Sequence, residues 1–168
     1  MQLKKIDKSR YSKHFKIIFG GIDIALLVIT LAASTLIIHL FGTADTSHFW
    51  HNLAGVATAA TIIVFFLNKL RHHSFMYEVV YVWDLKQILN KIYRKQRKIE
   101  SKAEENDHYA MIIMNFQYRG SKQLYELDDN TITIDELNRK IKHLGKRMQT
   151  AGLSLSTDLF DPEMLDLF

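Results

Sequence analysis

The chain has 168 residues, room for one ordinary domain or two small units, which excludes a large multi-domain enzyme. It contains no Cys and one Pro, so disulfide frameworks, thiolate metal sites and cysteine nucleophiles are excluded. The formal charge of +4 hides a segregation: residues 1–16 carry +5, residues 17–68 carry −2 from Asp23 and Asp45 alone, and residues 69–168 set 16 basic against 15 acidic groups.

Residues 1–16 read as a basic cytoplasmic arm, with Lys4, Lys5, Lys8, Arg10, Lys13 and Lys16 against Asp7. Ile17 to Phe41 follows as 25 residues with one charge. As a helix it is about 37 Å long at about 1.5 Å per residue, enough to cross a hydrocarbon core of about 30 Å with some tilt. Seven residues, Gly42 to His48, separate it from Phe49–Leu67, 19 residues without a charge. The pattern predicts a transmembrane hairpin over residues 17–70, with antiparallel spans at about 17–41 and 49–68. A cleaved leader is the competing reading of the first span, but its apolar core runs only about 7–15 residues. Lys69 and Arg71 after the second span mirror the basic arm, while the connecting loop has no Lys or Arg. The positive-inside rule then puts both termini in the cytoplasm, and Phe49 and Trp50 at the outer interface.

Small residues recur at helical spacing in the spans: Gly21 and Ala25, Ala32 and Ser34, Ala54 and Thr58, Gly55 and Ala59. Such spacing lets helix backbones approach in lipid, first within the hairpin and, because two spans make a thin bundle, between copies in a homo-oligomer. Asp23 is the one ionisable residue inside a span, an expensive placement that marks a functional hypothesis. Antiparallel geometry brings Asn68 and Lys69 to its level, so a paired structural carboxylate competes with ion or proton handling. At the outer face His39, His48 and His51 gather with Asp45; the spacing of His48 and His51 allows a shared metal, although interfacial histidines are common without one.

Residues 71–152 read as a cytoplasmic helical domain. Phe75, Val79, Val82, Leu85, Leu89, Ile92, Gln96 and Ile99 give heptad-like spacing for a long first helix, possible as a direct continuation of the second span. The Glu-rich stretch Ser101–Asp107 interrupts it. A second helix places Tyr109, Ile112, Ile113, Phe116, Leu124 and Leu127 on one face, with Gly120 as its weak point. Thr133 and Glu136 form a capping box for a third helix carrying Ile134, Leu137, Ile141, Leu144 and Met148, which Gly152 ends. The expected fold class is therefore all-α: a two-helix transmembrane hairpin followed by a cytoplasmic three-helix bundle or coiled-coil module.

Asp128, Asn130 and Glu136 suggest a calcium loop, but Ile132 stands where an oxygen ligand is needed and Arg139 where the bidentate Glu belongs. Lys91, Arg94, Lys95, Lys98 and Lys102 make a basic stripe at i, i+3, i+4, i+7 and i+11. A solvated or helix-paired face accounts for it better than nucleic acid, because Glu100, Glu104, Glu105 and Asp107 adjoin it. On a straight continuation of the second span, Lys91 would sit about 30 Å from the membrane, too far for lipid headgroups. No phosphate loop, nucleophile elbow or metalloprotease helix is present, so no enzyme and no cofactor are expected.

Residues 153–168 form an acidic-apolar tail around Pro162, readable as a strap on the protein's own helices or as a docking peptide for a cytoplasmic protein. Its end, Met164-Leu165-Asp166-Leu167-Phe168, is similar to the Gln-Leu-Ser/Asp-Leu-Phe peptides that bind the bacterial replication sliding clamp, departing at Met164 where those peptides carry glutamine. Over nearly its whole length the chain also resembles a bacterial family of small two-span membrane proteins of unknown function. The likeness rests on Ile6-Asp7-Lys8 with Arg10-Tyr11, Tyr81-Val82-Trp83 with Leu85-Lys86-Gln87, Ile92-Tyr93-Arg94-Lys95, and Asp128-Asp129-Asn130-Thr131-Ile132-Thr133. It implies a bacterial inner-membrane setting and assigns no activity or site. The expectation is a non-enzymatic membrane anchor for a helical scaffold or partner-binding module, in contact with lipid and with further copies of itself; the alternative is a small oligomeric channel or transport accessory using Asp23.

Overall fold

The computed structural model describes residues 2–42, 47–130 and 134–168, and among the described residues the chain is helical without a strand. Five α-helices follow one another: α1 (Lys8–Phe41), α2 (Phe49–Leu70), α3 (Tyr77–Glu104), α4 (His108–Leu127) and α5 (Ile134–Thr150). Short 3-10 turns occupy Ser74–Met76, Thr157–Leu159 and Pro162–Leu167. The chain divides into two compact units, Ser9–Val80 and Met1–Lys8 with Tyr81–Phe168, called here the hairpin unit and the helical unit.

In the hairpin unit, α1 and α2 have 34 and 22 residues and are long and apolar enough to cross a membrane. The first helix starts at Lys8, well ahead of its apolar run, so half of the basic arm is helical. The two helices touch at small residues. Gly55 and Ala59 of α2 and Ser34 of α1 are buried, and a methyl on Gly55 would collide with the Ser34 hydroxyl and sit 2.9 Å from its backbone nitrogen. Only a residue without a side chain permits that approach. Around Gly21, Ala25 and Ile29 on α1 and Ile62, Phe66 and Leu70 on α2 an apolar groove of about 440 Å³ opens instead. The helix α2 does not run on into α3. The His73 N–H donates to Leu70 O at 2.9 Å, the His73 ring accepts from the Phe75 N–H at 3.2 Å, and the 3-10 turn intervenes before α3 begins. The straight continuation that put Lys91 about 30 Å from a membrane therefore does not exist.

In the helical unit α3 buries Val82, Leu85, Leu89, Ile92 and Ile99, as the heptad spacing predicts. It ends at Glu104, and Asn106 turns the chain with φ 65°. The Asp107 carboxylate then accepts the Ala110 N–H at 2.9 Å and caps α4. The fourth helix departs from the amphipathic pattern expected of it. Residues 110–118 are buried without interruption, including Asn115 and Gln117, whereas Tyr109, assigned to the apolar face, is exposed. Gly120 is no weak point: a methyl there would lie 3.2 Å from Leu89 Cδ2 and 3.3 Å from Leu85 Cδ1, so its bareness lets α3 close on α4.

The fifth helix packs Leu137, Leu144 and Met148 inward and ends at Gly152, whose φ of +71° allows the Leu153 and Gly152 N–H groups to bond Met148 O and Gln149 O at 2.8 and 3.0 Å. Its expected capping box depends on Thr133, which lies outside the described residues, as does Asp45. The tail supplies the last cover of α4. Phe160 stacks on Phe116 with ring centroids 4.1 Å apart, Leu165 is buried, and Asn115 Nδ2 donates to Leu155 O at 3.1 Å. At the other end of the chain, the Lys4 N–H donates to the Tyr81 hydroxyl at 2.9 Å and Gln123 Nε2 donates to Lys4 O.

Removing the ring in Phe160→Ala should cost about 3–5 kcal/mol of helical-unit stability, because the cavity would open on α4. Overfilling the α3–α4 contact in Gly120→Val should cost about 1–3 kcal/mol. Chemical denaturation of the detergent-solubilised chain, followed by circular dichroism, measures both; wild-type midpoints would refute this account of how α4 is covered.

Candidate functional site

Within the hairpin unit, a buried carboxylate is held between an arginine and a histidine ring. Glu78 is 5% exposed; Arg10 Nε lies 2.8 Å from its Oε1 and His14 Nδ1 3.1 Å from its Oε2. The Phe75 ring lies tilted against the His14 ring, centroids 4.1 Å apart. A buried carboxylate is tolerated when paired in this way, so the cluster locks the start of α3 to the start of α1. Nothing in the spacing of Arg10 and Glu78 along the chain announces it.

Asp23 is exposed on α1, and no ion pair or hydrogen bond joins it to Asn68 or Lys69 among the described residues; both of those are exposed as well. Gly20 and Gly21 beside it have open space where a side chain would stand. His48 and His51 come together, ring centroids 5.7 Å apart, and their Nδ1 atoms have no hydrogen-bond partner. His39 does not join them in a metal-holding group: no cluster of three His, Cys, Asp or Glu ligands occurs among the described residues.

The basic stripe is split by use. Lys95 Nζ donates to Leu165 O at 2.7 Å and Lys98 Nζ to Phe168 O at 2.8 Å, so two of its members hold the tail. Lys102 pairs with Glu105 at 2.7 Å, and that carboxylate raises the lysine pKa. Lys91 and Arg94 remain exposed. Of the docking-peptide residues, Leu165 is inside, whereas Asp166 and Leu167 are exposed and Phe168 is half-buried. The failed calcium loop serves as a clasp: Asp128 pairs with Lys86 at 2.9 Å and Asp129 with Lys8.

One polar site escaped the sequence altogether. Glu100 and Glu104 of α3, Tyr118 of α4, and Arg139, Lys140 and His143 of α5 line a common cleft in the helical unit. The Tyr118 hydroxyl donates to Glu100 Oε1 at 3.1 Å; burial, with that carboxylate beside it, pushes the phenol pKa well above the tyrosine range. Tyr118 therefore stays protonated and acts as a donor. Lys140 Nζ stands 5.9 Å from the Tyr118 ring centroid, within cation–π range. Three helices contribute these groups, from Glu100 to His143, 43 residues apart in sequence, and no motif spacing links them.

No curated protein and no solved structure matches the chain. A family model does, from residue 1 to residue 165, through the hairpin unit, α3 to α5 and most of the tail. The chain thus belongs to the family described as "Protein of unknown function (DUF3087)".

Proposed function

We propose that this chain is a non-enzymatic integral protein of the bacterial inner membrane, whose hairpin anchors and oligomerises a cytoplasmic helical module that binds a protein partner. The observation that carries the reading is the outer surface of α1 and α2. Ile24, Leu31 and Leu40 on α1 and Phe65 on α2 are each more than 60% exposed, along helices that bury almost nothing else. Core helices of a water-soluble protein bury such side chains, and contiguous apolar surface of this extent calls for lipid or a partner to cover it. The Lys and Arg flanks support an orientation with both termini inside. In the helical unit, exposed Trp83 and Tyr93 on α3 offer aromatic surface of the kind partners use.

A second reading, a small oligomeric channel or transport accessory, draws on Asp23. A carboxylate turned outward from a span is costly unless water or another protein surface meets it, less so at Asp23, which lies about two turns inside Lys16 near the inner boundary, than at the bilayer centre. A second copy of the chain seated over Gly20, Gly21 and Asp23 would supply that surface. The tail's own packing favours a strap over docking on the sliding clamp, since clamp engagement would need Leu165 to leave its buried place.

Because the natural chain has no Cys, single cysteines report topology cleanly. A membrane-impermeant maleimide should label Ser47→Cys in intact cells and Ser101→Cys only after lysis; the reverse pattern, or a chain that leaves the membrane in carbonate, overturns the proposal. Light scattering in detergent should show an oligomer that Asp23→Leu alters, and a monomeric wild-type chain would remove the oligomeric part. Proteoliposome proton flux that disappears in Asp23→Asn would favour the transport reading.

A further inference from the structure

The cleft of the helical unit is open to solvent on one side and has a volume of about 280 Å³, near the lower end of small-molecule sites. Its walls differ in sign. Glu100 and Glu104 of α3 stand on one side, Arg139 and Lys140 of α5 on the other with the His143 ring beside them, and Met114 and Leu144 contribute apolar lining. No ion pair forms across this cleft among the described residues, so the charges of both walls remain available to solvent or to a bound molecule. Two braces hold the walls. Arg147 Nη2 donates to Ala103 O and, at 2.9 Å, to Asn106 Oδ1, fastening α5 to the end of α3. Tyr118 fastens α4 to Glu100, and Lys140 turns to Glu136 of its own helix at 3.5 Å. The side chains of Glu104, Arg139 and His143 are left without a hydrogen bond or ion pair among the described residues.

The charge pattern selects the occupant. A pure anion would set its charge against Glu100 and Glu104, and a pure cation against Arg139 and Lys140; a molecule with both signs is compensated at each wall. The Arg139 guanidinium suits a carboxylate, which it can grip with two parallel N–H bonds, and the Glu104 carboxylate suits an ammonium. Met114 and Leu144 leave room for an apolar side chain between the two. We propose that the cleft binds a small zwitterion of the amino-acid or dipeptide class with an apolar side chain, its carboxylate at Arg139 and His143 and its ammonium at Glu104. The site goes beyond the anchoring role and does not depend on it, because every residue in it belongs to the helical unit.

Calorimetric titration of the detergent-solubilised full chain tests the assignment with L-leucine and L-leucyl-L-leucine as probes, beside N-acetyl-leucyl-leucine, which lacks the ammonium, and leucyl-leucinamide, which lacks the carboxylate. Saturable binding is expected for at least one zwitterion. Either blocked dipeptide should bind at least about tenfold more weakly than leucyl-leucine, the scale of one lost charge-assisted hydrogen bond. Arg139→Gln should erase the preference for leucyl-leucine over its amide, and Glu104→Gln the preference over the acetylated form. Both substitutions fall on exposed side chains, and unchanged circular dichroism would show that the helices persist. No saturable binding of either zwitterion, equal binding of the blocked dipeptides, or preferences that survive both substitutions would overturn the proposal.

Discussion

Two helices that carry their apolar side chains outward set the condition under which the rest of this chain has to exist. Every N–H and C=O along the middle of α1 and α2 is satisfied within its own helix, so neither helix needs water or a sheet partner for its backbone. What each lacks is cover for its side chains. The hairpin contact uses Gly55, Ala59 and Ser34, small residues that give close approach but remove little apolar area. Large residues such as Ile24, Leu31 and Phe65 lie outside that contact. Small residues between the helices and large ones around them are what packing in lipid favours, since burial of Leu against Leu gains little over Leu against an acyl chain.

The helical unit solves the ordinary problem of a soluble protein, with α4 at its centre. A helix buried on one stripe needs one neighbour; a helix buried from Ala110 to Tyr118 without a gap needs cover on every side. The third and fifth helices supply two sides, and the tail supplies another through Phe160 and Leu165. The polar residues that this enclosure traps are largely matched. Asn115 donates to Leu155 O and accepts from Arg119 Nε, and Gln117 Nε2 donates to Gln96 Oε1, although Gln117 Oε1 itself finds no partner. The tail is thus part of the core rather than an appendage, and its acidic, apolar alternation is the pattern of a strap: Phe160 and Leu165 inward, Asp161, Glu163 and Asp166 outward.

What the sequence disclosed and what it withheld divide along physical lines. The buried positions of α3, the Glu105–Asn106 turn and the Gly152 cap were legible because each is a local signal: a period, a cluster of polar residues, a glycine after the last apolar repeat. The burial of α4 on all sides was not, because it depends on a tail some 40 residues downstream folding back. Gly120 misled for the same reason. In isolation a glycine weakens a helix, and only the arrival of Leu85 and Leu89 turns the missing side chain into an advantage. Asp23 misled in the opposite direction: antiparallel register suggests Lys69 as its partner, yet register along two helix axes does not fix rotation about them, and the two side chains do not meet.

Charged residues show most clearly how little composition alone reveals. Lys95 and Lys98 belong to a stripe that reads as an electrostatic surface, yet each spends its ammonium on a backbone carbonyl of the tail. Asp128 and Asp129 imitate a metal loop and instead tie α3 and the N-terminal segment to the end of α4 through Lys86 and Lys8. Glu78 is, among the described acidic residues, the one that burial converts into a lock. In each case the long, flexible cation reaches a fixed oxygen, and the pairing settles where two distant segments meet. Across the cleft the same chemistry is present without the pairing: among the described residues Glu104 and Arg139 form no ion pair, and the helices that carry them are fastened elsewhere by Arg147 and Tyr118. Charges that have found partners are what hold distant segments of this fold together.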